Sequence, residues 1–211
     1  MIILSQYKFI VVEGVDFSGK STYIRNLKEK IMINNPNKKI LDLHFIGHNM
    51  KNVLQYKDSI SPNSLFHAII HEMKSLNHII KDCIDNDILV ISDRYVYSTM
   101  VYQTKLLVEA SNMNINNLLT FDTTKIDSEE FMLLYDLFFT ESSTMYNLII
   151  PDAIVYLHPD FDIIQERIEN SKRELDFIEK DVENIFKYYN RYEFIFELLE
   201  KYTNLEIIKI K

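Results

Sequence analysis

The 211-residue chain carries 23 basic and 31 acidic residues, for a formal net charge of −8, with 47% hydrophobic and 26% charged residues. That balance excludes a disordered or fibrous chain and argues against a nucleic-acid groove, which needs a basic surface to neutralise phosphates. Its single cysteine, Cys83, leaves no internal disulfide and no cysteine-built zinc site.

At about 150 residues per domain the length predicts one domain covering residues 1–211. The first apolar stretch, Met1 to Val12, is interrupted by Gln6 and Lys8, has no basic leader and runs straight into a glycine motif, so no signal peptide is expected. No stretch approaches the roughly 18 uninterrupted apolar residues of a membrane span. A cytoplasmic protein without membrane contact is the expectation.

Five short β-branched runs follow one another: Lys8 to Gly14, Lys38 to Gly47, Asp87 to Asp93, Asp152 to His158 and Leu205 to Lys211. Each resembles a buried strand more than a helix. Between them Thr22 to Asn34, Ser64 to Asp85 and Phe161 to Leu199 have helical spacing. The alternation predicts an α/β fold in three layers, a five-stranded parallel sheet flanked by helices. Pro36, Pro62, Pro151 and Pro159 stand at segment edges, where a missing N–H ends regular structure. Gln103 to Ile150 reads as a helical connection, with a mobile stretch near Asn112 to Asn117 and a helix from Ser128. The acids Asp127 to Glu130 suit that helix's N-terminal dipole.

The strongest chemical signal is Gly14 to Ser21, GVDFSGKS, between a predicted strand and a predicted helix. It fits the phosphate-loop pattern G-x-x-x-x-G-K-[ST] in its required context. Two of the chain's three glycines lie in it. Without Cβ atoms the loop can curl around a polyphosphate, whose charge the backbone N–H groups and the helix N-terminus offset. Gly14, Phe17, Ser18, Gly19, Lys20, Ser21 and Thr22 are the expected contacts, with Lys20 adding a full charge and Ser21 a hydroxyl for Mg²⁺. At the end of the third predicted strand, Asp93 and Arg94 should face the same cleft, since ligands of open α/β sheets bind beyond the strands' carboxyl ends. Arg94 can grip a second phosphate with its fork, and Asp93 can hold water on the Mg²⁺.

FIVVEGVDFSGKST, ISDRYVYSTMVYQ and PDAIVYLHPD, followed by a helix with arginines, together resemble the thymidylate kinases among the P-loop nucleoside monophosphate kinases. The resemblance implies that Lys20 and Ser21 serve ATP and Mg²⁺, that Asp16 faces the deoxyribose 3′-hydroxyl, and that Arg94 holds the acceptor's phosphate with Ser98 beside it. It places Tyr102 where a 2′-hydroxyl would sit, Gln103 at the base, and Phe66 in position to stack on it. It implies phosphoryl transfer from ATP to a deoxynucleoside monophosphate, dTMP first, by a homodimer. Three features depart from the family pattern. HFIGHNMKN, after the second strand, offers only Lys51 as a cation. The helix Ser64 to Asp85 has no arginine to read a thymine carbonyl. Phe17 and Phe177 occupy the positions of the catalytic arginine, which leaves Arg167, Lys172 and Arg173 as candidates from a mobile lid at about 167–179.

Other readings stay open. A deoxynucleoside kinase would need a carboxylate base for an uncharged 5′-hydroxyl, and Glu13 could serve. A nucleotide-binding protein without turnover fits the missing arginines. A P-loop switch protein lacks its N-K-x-D segment here. His67 and His71 have metal-ligand spacing but no evident third ligand. The aromatic run from Phe186 to Phe196 reads as core or subunit interface rather than a base-stacking platform.

Overall fold

A computed structural model describes residues 6–45, 48–56, 59–111, 116–139, 147–172, 175 and 181–211. Its strands are β1 (Phe9–Glu13), β2 (Ile40–His44), β3 (Leu89–Asp93), β4 (Ala153–Leu157) and β5 (Ile207–Ile210). They form one sheet in the order β2-β3-β1-β4-β5, every neighbouring pair parallel. Alternation along the strands divides the core in two. Phe9, Val11, Val90, Ile154 and Tyr156 face one side, while Ile10, Val12, Leu89, Ile91, Val155 and Leu157 face the other, as the period of two demands.

Helix α1 (Lys20–Asn34) covers the second side with Ile24, Leu27 and Ile31, a spacing that brings one apolar stripe onto the sheet. The first side carries the larger cluster, to which α3 (Pro62–Asp85), α4 (Val96–Tyr102), α6 (Ser128–Phe139) and α8 (Val182–Tyr202) contribute. Ser61 caps α3, its hydroxyl accepting the Ser64 N–H at 3.2 Å. Asp127 likewise accepts the Glu130 N–H at 2.8 Å at the start of α6, in line with the expected helix start.

Three details refine the sequence expectations. The stretch from Phe161 to Leu199 holds two helices, α7 (Phe161–Glu169) and α8. A short helix, α2 (His48–Leu54), begins within HFIGHNMKN and runs past it. The connection after Gln103 opens with α5 (Thr104–Ser111) and continues through a 3₁₀ turn at Asn116–Thr120. The stretch expected to be mobile lies largely outside the described residues, as do Arg173 and Phe177.

Candidate active site

The loop after β1 turns back on itself because its glycines allow it. Gly14 has φ 146°, and a Cβ there would stand 2.5 Å from the Leu157 carbonyl oxygen. Gly19, at φ 103°, is the residue before α1, while the Ser18 N–H closes the turn on the Val15 carbonyl at 3.2 Å. Phe17 itself takes the left-handed region, at φ 66°. Lys20 is buried under this loop, and its Nζ donates to the carbonyls of Gly14 at 2.8 Å and Val15 at 2.9 Å. Ser18 Oγ is buried without a partner.

Burial, and then the charge of Arg94, lowers the Lys20 ammonium from 10.5 to about 8. With its folded pKa below the unfolded one, the unfolded chain binds more protons between these values. This group's contribution to stability therefore rises with pH from about 8 toward 10.5. The full increment is about 3 kcal/mol. Lys20→Met should abolish it, so denaturant melts of the two nucleotide-free proteins at about pH 7.5 and about pH 10 should differ in pH dependence. Parallel pH dependences would contradict the assignment.

Register sets the second half of the site. Val12 pairs with Asp93, so the residues that follow, Glu13 and Arg94, emerge side by side. Arg94 donates its backbone N–H to the Val12 carbonyl at 2.9 Å and takes φ 72°, which swings its side chain across the end of the sheet. There Nη1 donates to the Gly14 carbonyl at 3.0 Å, Ser98 Oγ at 3.2 Å and the Tyr192 hydroxyl at 2.5 Å, while Nη2 donates to Asp16 Oδ1 at 2.5 Å. Burial opposes its charge, but Asp16, Tyr102, Tyr192 and Glu13 more than compensate and keep it protonated. The Tyr102 hydroxyl reaches Asp16 Oδ2 at 3.2 Å, and the Arg94 guanidinium carbon stands 5.1 Å from the centre of the Tyr102 ring.

Glu13 is fully buried and anchors this arrangement. Oε1 accepts the N–H groups of Tyr95 at 2.7 Å and Ser98 at 3.3 Å, at the start of α4, and Oε2 accepts the hydroxyls of Ser98 at 2.7 Å and Tyr192 at 3.1 Å. Desolvation pushes its carboxyl upward. Tyr192 is the residue that sequence reasoning missed: it ranked only as one of an aromatic run, yet its hydroxyl joins Glu13, Ser98 and Arg94. Its only signal was a polar tip within an apolar helix face.

On the other side of Lys20, Ser21, Arg25, His44 and Asp93 help to line a cleft of about 430 Å³. Asp93 Oδ2 faces His44 Nδ1 at 3.5 Å, whereas Oδ1 is buried with no partner. Burial alone would raise this carboxyl, but His44, Lys20 and Arg94 hold it below the usual value. An orphaned, ionised carboxylate oxygen sharing a cleft with a serine hydroxyl suits a hard divalent cation that keeps its waters.

The remaining candidates fall in several places. Ser21 and Thr22 are exposed on the first turn of α1, and Gln103 closes α4, its N–H on the Thr99 carbonyl at 2.9 Å. Phe66 is 3% exposed within the larger core, its ring in edge contact with His67, so it presents no open face in this state. Arg167, exposed on α7, donates from Nη1 to the Phe17 carbonyl at 2.9 Å and so sits against the phosphate loop, while most of the expected lid beyond residue 172 lies outside the described residues. His67 and His71 are both exposed, and no group of three or more His, Cys, Asp or Glu among the described residues could hold a metal ion.

A cradle for a polyphosphate at the end of β1, faced by an arginine at the end of β3, belongs to the P-loop kinases within the three-layer α/β class. The thymidylate kinase family model matches residues 12–124, and the chain belongs to that family. It is 26% identical over 218 residues to a thymidylate kinase of Buchnera aphidicola, spanning 97% of this chain and 91% of that protein. With the Campylobacter lari thymidylate kinase it shares 28% over 209 residues, 96% of this chain and 90% of the relative. A crystal structure of the Ehrlichia chaffeensis thymidylate kinase has the same fold, with a TM-score of 0.56 at 18% identity, covering 96% of this chain and 88% of that one. Among the described residues no helix is long and apolar enough to cross a membrane.

Proposed function

We propose that this chain transfers the γ-phosphoryl group of ATP to the 5′-phosphate of dTMP, giving ADP and dTDP. The observation that carries this reading is Arg94. Its guanidinium is buried at the end of β3, bonded to the Gly14 carbonyl of the phosphate loop and ion-paired only with Asp16 among the described residues. A buried cation beside a polyphosphate cradle is the group a second, acceptor phosphate would need. Asp16 offers that acceptor's 3′-hydroxyl a carboxylate, and Tyr102, seated on Asp16, occupies the space of a 2′-hydroxyl. Gln103 presents a donor and an acceptor to the imide edge of thymine.

In the reaction an oxygen of the acceptor phosphate bonds to the γ-phosphorus as the bond to the β,γ-bridging oxygen breaks. That phosphate is largely ionised near neutral pH, so no general base is required. Positioning and charge neutralisation carry the catalysis. Lys20 and the loop N–H groups hold the donor, Arg94 holds the acceptor, and Arg167 stands at the loop between them. Ser21 and Asp93 would hold Mg²⁺, directly or through water, and the ion would neutralise charge on the donor phosphates.

The rival reading, a kinase of uncharged 5′-hydroxyls, needs Glu13 free as a base. All four contacts on its two oxygens come from donors of the protein, so it is occupied as an anchor. A coupled ADP-release assay over the four deoxynucleoside monophosphates and their nucleosides tests the choice. dTMP should be preferred, and thymidine should lose more than a hundredfold in kcat/KM, because it lacks the phosphate that Arg94 would hold by charge-assisted hydrogen bonds and that supplies the attacking oxygen. Arg94→Ala should raise KM for dTMP far more than KM for ATP. Equal use of thymidine and dTMP would overturn the proposal. The same reading includes a homodimer, checked by sedimentation, and a cytoplasmic location.

A further inference from the structure

Helix α8 contributes an arginine that the chemistry above does not use. Arg191 precedes Tyr192, so its side chain leaves the helix about 100° around from the Glu13 and Arg94 cluster. Its guanidinium carbon lies 4.1 Å from the ring centre of Phe121 and 5.4 Å from that of Tyr188. Conventional partners are scarce. Among the described residues Nη1 reaches only the Val101 carbonyl, at 3.4 Å, and Nε is buried without an acceptor. None of the carboxylates among the described residues forms an ion pair with it. Two aromatic faces are therefore its main support.

Those faces lead to the acceptor site. Tyr188 packs on Tyr102 with ring centres 4.5 Å apart, and Arg94 lies over the Tyr102 ring at 5.1 Å. Phe121, Arg191, Tyr188, Tyr102 and Arg94 thus form one continuous row of ring and cation contacts that ends where the Tyr102 hydroxyl meets Asp16. Tyr188 is only partly buried, so without Arg191 against it the ring is free to turn toward solvent, and Tyr102, whose other ring neighbour among the described residues is Tyr192 at 5.9 Å, loses its nearer aromatic support.

We infer that Arg191 is a positioning residue which, by clamping Tyr188 against Tyr102, sets the enzyme's discrimination between 2′-deoxyribose and ribose in the acceptor. The inference rests on the kinase reading above. A tyrosine excludes a 2′-hydroxyl only while its ring cannot yield, and that rigidity comes from the residues behind it. Steric pockets reject an added hydroxyl by about 10²-fold, which bounds what the clamp controls.

The test compares kcat/KM for dTMP and for ribothymidine 5′-monophosphate at saturating ATP. Arg191→Ala should lower the deoxy-to-ribo ratio about tenfold, chiefly through a lower KM for the ribonucleotide, and Arg191→Lys should restore part of it. Phe121→Leu loosens the same clamp while leaving every residue of α8 in place, though it also removes the ring edge on Phe194, and should shift the ratio in the same direction; it decides the matter if Arg191→Ala does not fold. A ratio within about twofold of the parent's in the folded variants, even with dTMP turnover reduced, would mean a merely structural role and overturn the inference. A parent inactive on dTMP overturns the kinase reading as well, whereas an active parent with an unmoved ratio overturns this inference alone.

Discussion

Lys20→Ala should reduce turnover by on the order of 10²-fold or more while leaving the protein folded. Its ammonium is held by two backbone carbonyls, those of Gly14 and Val15. Those carbonyls belong to the loop that would wrap the donor phosphates, so the amine is stored beside its site of action. Bringing a polyphosphate against it supplies the anionic partner that burial now denies it, and that interaction strengthens as charge develops on the transferring group. The fold loses little by comparison, because a buried cation with a depressed pKa opposes stability at neutral pH. Circular dichroism and a melting curve would verify the fold, and steady-state assays would give kcat. A folded Lys20→Ala protein with full activity would remove the phosphate loop from the chemistry.

The parts of this molecule legible in the sequence are those whose cause is local. All five strands were visible because each holds a short apolar run; β1, β3 and β4 are buried almost throughout, whereas β2, with Asp42 and His44 exposed, and β5, with Lys209 exposed, are partly buried edge strands, and β1, expected over Lys8 to Gly14, spans Phe9–Glu13. The phosphate loop was equally visible, since glycine spacing, lysine and serine all lie within one turn. Helix α4 was not read as a separate element. Val96–Tyr102 is rich in β-branched and aromatic residues of poor helix propensity, and it is helical because it packs on α8 and its start is held by Glu13.

The same distinction divides the site. Asp16, Arg94 and Tyr102, taken from two local motifs, do come together in one hydrogen-bonded group. Tyr192 lies 98 residues from Arg94, and no local pattern marks the hydroxyl that joins them. Ser98 was expected beside the acceptor phosphate, but its hydroxyl is engaged by Glu13, Arg94 and Tyr192, a network that only the packing of α4 against α8 creates. The Phe177 and Arg173 positions lie outside the described residues.

Arg167→Ala should lower kcat by about 10³-fold with a much smaller change in KM for dTMP, as expected for a group that acts on the transferring phosphoryl and not on the acceptor. Phe17 brings no cation to the phosphate loop, and on the proposed reading one reaches the loop from another element. Arg167 does so from the last turn of α7, donating to the Phe17 carbonyl at 2.9 Å and lying 3.3 Å from where a Cβ on Gly19 would stand. Glycine at 19 therefore serves two ends: its φ of 103° starts α1, and its missing side chain leaves room for the guanidinium. Gly19→Ala should mimic part of the loss, since the added methyl would both strain the backbone and crowd Arg167. Arg167→Lys should recover little, because a point charge on a flexible stem does not reproduce the planar fork. Single-turnover measurements at saturating ATP and dTMP separate the chemical step from product release. If Arg167→Ala retains the parent's single-turnover rate, the transition-state cation comes from another residue, and Arg173→Ala becomes the decisive variant.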